Sequence, residues 1–428
     1  MRMNHMAPWR GVVAVVCLCA GLMADAGTVA ASTNQVMSVN DCVGKALAGN
    51  PALQAAACRW EAAKAQVSQA RVVSNPQFSA EVESFGGSGE YRGWDAAEST
   101  FGLSQEIELG GRRSSRMAEA VAEADAARAA YESLKLDLVR DTRKAFLAVV
   151  LAEEKWRLAG DAVRLAAEVE ATTAARVAAG KTTPLESGRV RVDGARAELA
   201  RDDAASELES ARRRLAALWG ADEPGVDLSR EAFPDCPVDI PPLAELLAGL
   251  DRTPDAAGWR AAIRAAQARL QSGKAARVPN VELSLGVRRF EDSPDTALVA
   301  GIAAPLPLFD RNAGGVRAAA AELEAATLDE AAGGSALRLE LCDLYGRILN
   351  QQKRVAVLKS IGLPAVERAW VAAQAGYREG KTGYLEVLDA QRVYTELRVE
   401  SVEAVAGLLA ALADVQRFMT PVMSLEAK

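Results

Sequence analysis

In "VELSLGV", residues 281–287, Val281, Leu283, Leu285 and Val287 fall on one side of an extended chain, and Glu282, Ser284 and Gly286 on the other. A period of two marks a strand with one apolar and one polar face. Three further segments share the pattern. In 100–109, Phe101, Leu103, Ile107 and Leu109 alternate with Thr100, Gly102, Ser104, Glu106 and Glu108. In 298–308, Leu298, Ile302, Leu306 and Leu308 share a face with Ala300 and Ala304. In 78–84, Phe78, Ala80 and Val82 stand against Ser79, Glu81 and Glu83. The connections "GGSGEYRGWDAAES" (86–99) and "EDSPD" (291–295) are polar and turn-rich, so the strands pair as two hairpins.

The hairpins belong to a duplicated chain. "ARVVSNPQFSAEV" (70–82) answers to "ARVPNVELSLGV" (276–287), and "FGLSQEIELGGRR" (101–113) to "AGIAAPLPLFDRN" (300–312). Further on, Gly180, Lys181, Thr182, Leu185 and Glu186 recur 200 residues later as Gly380, Lys381, Thr382, Leu385 and Glu386. Repeats at 27–220 and 255–420 flank a Pro- and Asp-rich connector, 221–254, and a tail, 421–428, closes the chain. Each repeat reads as a helix (about 41–71 and 255–276), a strand pair and a long Ala-rich helix (about 112–178 and 312–378). A shorter helix follows (about 184–217 and 384–417). Gly314–Gly315, Gly333–Gly334 and Pro364 are the candidate bends in the second long stretch. An unbroken helix of about 65 residues is on the order of 100 Å long, which suits side-by-side helices rather than a globule.

The doubled phrase "GKT" satisfies a relaxed phosphate-loop pattern when Ala175 and Ala375 are counted. A phosphate loop follows a strand and cradles its anion with glycine-rich backbone, whereas here a long helix precedes each phrase. A tight turn between antiparallel helices fits better. Gly180 and Gly380 supply the C-terminal cap, and Thr183, Pro184 and Glu186 fit the N-cap, N1 and N3 of a capping box.

Composition narrows the function. Half of the residues are hydrophobic but only 5% aromatic, with much of the apolar content in alanine, which favours closely packed helices. A formal charge of −7 argues against a nucleic-acid partner. Arg2 and Arg10, the apolar run 11–24 and "ADA" (24–26) read as an export signal over residues 1–26. Its removal takes Arg2, Arg10 and Asp25, shifting the charge to −8, and removes His5, the only histidine. Catalytic bases and metal ligands would then rest on carboxylates or thiols. Cys42, Cys58, Cys236 and Cys342 remain, with no pair at metal-binding spacing; Cys42 and Cys58, read on one helix, lie about 24 Å apart. No cofactor, metal site or catalytic residue is expected.

The strands, about 8–11 residues each, have the length of membrane-crossing β-strands. Two ordinary hairpins laid on a helical core would show the same alternation. In lipid, however, open edges are not viable and four strands cannot close. Several copies must then join: two would make a barrel nearly filled by its side chains, and three give twelve strands and a passage. Glu81, Glu83, Ser104, Glu106, Glu282 and Ser284 would line it.

Over nearly all of the exported chain the sequence resembles the TolC-like outer-membrane efflux family. The resemblance is carried by "NPALQAAACRWEAAKAQVSQARVVSNPQFSAEVESFGG" (50–87), "GLSQEIELGGRR" (102–113), "PLPLFDRNAGG" (305–315) and "YREGKTGYLEVLDAQR" (377–392). The first three look most like the branch serving cobalt–zinc–cadmium-type cation exporters. The resemblance implies a mainly α chain with a membrane β-barrel: four strands per protomer in a homotrimer's twelve-stranded barrel, continued by a long α-helical tunnel. It implies a passive exit duct in the bacterial outer membrane, its helical part in the periplasm, gated at the periplasmic end. The implied partners are outer-membrane lipid, a periplasmic adaptor (membrane fusion) protein and an inner-membrane resistance–nodulation–division pump, and the implied cargo a cation such as cobalt, zinc or cadmium. A duct for drugs or for type I protein secretion is the alternative; a periplasmic coiled-coil scaffold is a third.

By the same resemblance, the turns at Gly180, Lys181, Thr182 and Gly380, Lys381, Thr382 would meet the adaptor, and 221–254 would form part of a belt. Acidic residues close the family's aperture, which places Glu386, Asp389 and Tyr377 there, with Glu186 in the first repeat. The family's basic partner falls at Thr382, leaving neighbouring Lys381 as its substitute. Glu186 equally fits its capping box, and Glu386 and Asp389, at i and i+3, also fit a solvated face.

Overall fold

The structure, a computed structural model, describes residues 37–222 and 240–419; the signal segment, most of the connector with Cys236, and the tail lie outside the described residues. Nine helices and four strands are named among the described residues. Helix α1 (Val39–Gly49) starts in a capping box: the Asp41 amide donates to the Ser38 hydroxyl (3.3 Å), and the Ser38 amide to the Asp41 carboxylate (2.9 Å). The helix expected over 41–71 is in fact two. Asn50 ends α1 and caps α2 (Pro51–Ala70), accepting from the Leu53 amide at 2.9 Å with Pro51 at the first helical position. The Asn50 side-chain nitrogen, Nδ2, also donates to the Leu218 carbonyl (2.8 Å), tying this corner to the residue that follows α4. Cys42 and Cys58 therefore lie on different helices, and both are free.

Strands β1 (Gln77–Glu83) and β2 (Glu98–Ile107) follow, then α3 (Arg112–Ala178), unbroken over 67 residues, and α4 (Pro184–Ala217). The short α5 (Leu243–Gly249) leads into the second repeat: α6 (Pro254–Ala275), β3 (Val281–Phe290), β4 (Thr296–Ala303), α7 (Ala313–Val357), α8 (Leu363–Glu379) and α9 (Tyr384–Met419). The last strand is shorter than its pattern suggested, because Pro305 cannot extend the ladder and Leu306 and Leu308 fall beyond it. Of the candidate bends, only Pro364 marks a break: a π-helical turn over Leu358–Gly362 precedes it and divides α7 from α8. Gly333 instead lies inside α7, where an added Cβ would come within 2.2 Å of the Trp259 ring, so its bare backbone is what lets α6 approach.

The strands form one antiparallel sheet in the order β1-β2-β3-β4. Register places Ala80 beside Phe101, Val287 and Leu298 across all four strands, and Glu106 beside Glu282. One face thus carries Phe78, Val82, Phe101, Leu103, Leu283, Leu285, Val287, Leu298 and Ile302; the other carries Glu81, Glu83, Glu98, Ser104, Glu106, Glu282 and Ser284. The apolar face is bare: Phe78 is 70%, Leu285 63%, Leu298 80% and Ile302 74% exposed. This removes the reading of ordinary hairpins laid on a helical core.

Helices α2, α3, α6 and α7 are neighbours in the same order as the strands they join, so one layer passes from sheet to helix. Small residues permit close approach: Ala261, Ala265, Ala266 and Ala268 of α6 and Ala120, Ala122 and Ala124 of α3 are all buried. Further from the sheet, α3 packs with α4 and α9, and α8 with α9. One core gathers Phe146, Val149, Leu208 and Leu215; another, Leu341, Ile348, Leu408, Val415 and Phe418. Arg417 staples the end of α9 to two other helices. It is 10% exposed and donates to Asp137 at 2.6 Å and to Asp255 at 2.9 Å, with Ser133 at 3.1 Å.

Candidate functional site

The end of the molecule furthest from the sheet is built from the two repeated turns. At Gly180 (φ +67°) and Gly380 (φ +78°) the chain adopts the left-handed conformation that terminates a helix. The Lys181 amide donates back to the Arg176 carbonyl (2.9 Å) and the Lys381 amide to Gly376 (2.8 Å), closing each helix with the same wide turn. Both phrases lie between helices, so neither is a phosphate loop.

Identical phrases nevertheless behave differently, because the residue four before each glycine differs. In the second repeat it is Gly376, where a Cβ would lie 2.6 Å from the Thr382 hydroxyl; Thr382 therefore folds back and donates to the Ala373 carbonyl (3.2 Å). In the first repeat it is Arg176, and Thr182 instead hydrogen-bonds the Glu186 carboxylate. The capping box expected of Thr183 and Glu186 does not form: Thr183 makes no side-chain cap, since Glu186 is drawn towards Thr182 and a tyrosine of the other hairpin. It is Glu386 that accepts from the amide at its own helix start, Gly383, at 3.3 Å.

That tyrosine is Tyr377, 2% exposed. Its hydroxyl meets the Thr173 hydroxyl at 2.7 Å and donates to Glu186 at 3.2 Å. The Arg176 guanidinium lies 4.5 Å from its ring centre and donates to its carbonyl at 2.7 Å, while the Arg176 Nε is buried without a partner. One turn on, the Tyr384 hydroxyl donates to Asp193 at 2.5 Å. Val169, Val190, Trp370 and Val387 fill the space between these bonds, so the two hairpins are joined by an apolar core with a polar bond on each flank. Burial raises the pKa of both phenols, and the Glu186 and Asp193 carboxylates add to it, so each hydroxyl keeps its proton to donate.

The other expected aperture residues are exposed. Asp389 pairs with Arg392 at 3.0 Å, and Lys381 pairs with Glu379 at 2.6 Å rather than with the carboxylates it was expected to serve. Lys181 and the tip residues Leu185 (68% exposed) and Leu385 (63%) point into solvent. Thr173, Arg176, Asp193 and Tyr384 escaped the sequence reading. Their signal was a mismatch: at the 200-residue offset they stand opposite Ala373, Gly376, Val393 and Pro184.

At the sheet, five carboxylates share the polar face with a single arginine. Arg288 donates to Glu98 at 2.7 Å and Glu83 at 2.9 Å. Glu106 and Glu282, cross-strand partners, line a cavity of about 900 Å³ where the sheet meets the helices, and Asn280 donates to Glu106 at 2.7 Å. Among the described residues no group of three or more His, Cys, Asp or Glu could hold a metal ion, and no helix is long and apolar enough to cross a membrane.

Comparison with known proteins places this geometry. Residues 42–221 and 248–419 match the family described as outer membrane efflux protein. The cobalt-zinc-cadmium resistance protein CzcC of Cupriavidus metallidurans is 31% identical over 371 residues, 86% of each chain. The nickel-cobalt-cadmium resistance protein NccC of Alcaligenes xylosoxydans is 28% identical over 66% of this chain and 63% of its own. Among solved structures, the outer-membrane channel OprN superposes with a TM-score of 0.77 at 23% identity, covering 89% of both chains. With a sheet bare on its apolar face, a helical layer continuing it, and a family match over both repeats, this chain belongs to the outer membrane efflux protein family, a transport conduit of the outer membrane rather than an enzyme.

Proposed function

We propose that three copies of this chain close a twelve-stranded barrel whose bore runs on through the helices, and that this duct carries divalent heavy-metal cations out of the cell. The observation that carries the proposal is the sheet: β1 and β4 each have a free edge, one face is apolar and bare, and the other is rich in carboxylates. Only closure with further strands satisfies both edges in lipid, and three sheets of four give a barrel wide enough for a passage. Members of the family form trimeric channels working with adaptor proteins and inner-membrane pumps of the resistance–nodulation–division type. The cargo rests on two supports. Both relatives carry cobalt and cadmium resistance in their names, and on the polar face the strands hold Glu81, Glu83, Glu98, Glu106 and Glu282 against Arg288, with Arg112 and Arg277 at the cavity beside Glu106 and Glu282. Rings of such carboxylates draw cations and repel anions.

At the far end, Gly180, Lys181, Thr182 and Gly380, Lys381, Thr382 form the two tips offered to the adaptor. Glu186 and Tyr377 hold the hairpins together there, and Glu386 and Asp389 stand exposed for a carboxylate ring at the aperture, beside Lys381. A deletion strain tested on zinc, cobalt, cadmium and copper, and complemented by the cloned chain, checks the cargo. Unchanged tolerance to all four metals with raised sensitivity to drugs would replace it with a drug duct. Planar-bilayer recordings check the aperture: replacing Glu386 and Asp389 with neutral residues is expected to lower cation preference, and an unchanged preference and pH response would remove them from it.

A further inference from the structure

We infer that the arginines where the sheet meets the helices bind the phosphodiester of phospholipids in the periplasmic leaflet of the outer membrane; this rests on the barrel reading above. All four strand–helix junctions lie at one end of the sheet, since β1 and β3 begin there and β2 and β4 end there. Arg112 turns inward, donating to the Ala276 and Val278 carbonyls and lining the cavity of the polar face with Arg277. Arg116 is neutralised by Glu108 at 2.5 Å. Arg71, Arg113 and Arg311 remain. All three are exposed, none lines either cavity at the junction, and among the described residues none is within salt-bridge distance of a carboxylate, though Arg113 lies near enough to Glu108 to help hold its pKa down.

Two of them are held together. The Arg113 guanidinium donates to the Arg71 backbone carbonyl at 2.5 Å, which holds two cationic residues close together; the nearby carboxylate, Glu108, is already paired with Arg116. Arg311 bonds only the Pro307 carbonyl, at 3.3 Å. Beside each stands bare apolar surface: Val72 (50% exposed), Val73 (49%) and Leu109 (39%) next to Arg71 and Arg113, and Leu308 (63%) next to Arg311. Leu109, two residues beyond Ile107 of the apolar face, carries that face on towards the helices. Strand β3, Val281–Phe290, spans about 30 Å, or about 23 Å upright at a strand tilt near 40°, close to the apolar band of such barrels. The arginines therefore stand where acyl chains give way to headgroups. A guanidinium's planar fork matches a phosphodiester, and its hydrocarbon stem lies along the apolar collar.

The test uses the full chain, assembled and inserted in bilayers, with phosphatidylglycerol as the probe and inorganic phosphate and uncharged diacylglycerol as controls. A basic residue at a lipid surface contributes roughly five-fold in affinity. The triple variant Arg71→Gln, Arg113→Gln, Arg311→Gln is therefore expected to lose at least about ten-fold in phosphatidylglycerol retained, by native mass spectrometry, and the thermal stabilisation that this lipid confers. The matching lysine variant should recover part of both. Retention unchanged in an inserted triple variant overturns this inference alone, as does equal stabilisation of the wild-type chain by inorganic phosphate. A wild-type chain that does not insert at all overturns the barrel reading and this inference with it.

Discussion

Tyr377→Phe isolates the bond that joins the two hairpins. The ring stays in its apolar core and beneath Arg176; only the hydroxyl goes, and with it the contacts to Thr173 at 2.7 Å and Glu186 at 3.2 Å. Thr173 keeps its bond to the Val169 carbonyl and Glu186 keeps Thr182, so neither is orphaned outright. A neutral hydrogen bond is worth about 0.5–1.5 kcal/mol and one to a charged group about 1.5–3, with the low end suited to a half-exposed carboxylate. The sum, roughly 2–3 kcal/mol, shifts an equilibrium between joined and parted tips by about 30–150-fold. Single-channel recording should show the open fraction rising by that factor while the size of the fully open conductance holds. Adding Glu186→Gln should cost little more, because both changes remove one shared interaction. Tyr384→Phe, which loses Asp193 on the opposite flank of the same core, should act independently. An open fraction unmoved by Tyr377→Phe, with thermal unfolding also unmoved, would refute the role assigned to this seam. The phenols' raised pKa values give the pH sign: the joint is intact below their ordinary value near 10 and is lost only as alkali ionises them.

Arg417→Ala leaves two part-buried carboxylates without their cation and should lower stability by about 3 kcal/mol, read by thermal circular dichroism. Burial alone would raise the Asp255 pKa, but Arg417 and Ser133 hold it below the usual carboxylate range, so wild type loses this stability only as pH falls through that lowered value; the variant's deficit should shrink there. Cys42 is buried and its thiol is pushed up to about 11 by burial first and Asp41 second, so iodoacetamide at neutral pH should label exposed Cys58 and Cys342 and spare Cys42 until the chain unfolds, as peptide mass mapping would show. Leu285→Arg places a charge on the apolar face and should cost about 2–4 kcal/mol per copy if that face meets lipid. The variant should then vanish from the outer-membrane fraction; undiminished recovery there would mean that the face does not meet lipid.

The fold was legible wherever one local rule acted without a rival. Alternation found all four strands within a few residues, because each has one face that needs apolar cover and one that needs water. A long Ala-rich stretch with no glycine or proline cluster to end it found α3 end to end. Errors came where local and distant demands compete. Asn50 reads as an ordinary helical residue until Pro51 is weighed with it, and together they make a cap that divides the helix. Gly333 reads as a bend, yet its place is fixed by the Trp259 ring of another helix, which no local pattern encodes.

The site was legible in its outline and not in its bonds, and the duplication explains why. Matching the repeats picks out what they share: the glycine turn, the lysine and threonine, and the glutamate. Two identical hairpins, however, would have no reason to interlock in one particular way. What joins them must be complementary, and complementary partners cannot be alike. The joint therefore uses the positions where the repeats diverge: Tyr377 against Val177, Arg176 against Gly376, Thr173 against Ala373, Tyr384 against Pro184, Asp193 against Val393. Even the shared glutamates part company, Glu186 reaching across to Tyr377 and Glu386 turning back to its own helix start. In a duplicated chain the repeated residues build the arms, and the residues that broke the repeat bind one arm to the other. A swap of Arg176 and Gly376 tests that division: the turns should survive, as each carries its own left-handed glycine, while Tyr377 loses the guanidinium over its ring and Thr382 loses the space it folds into.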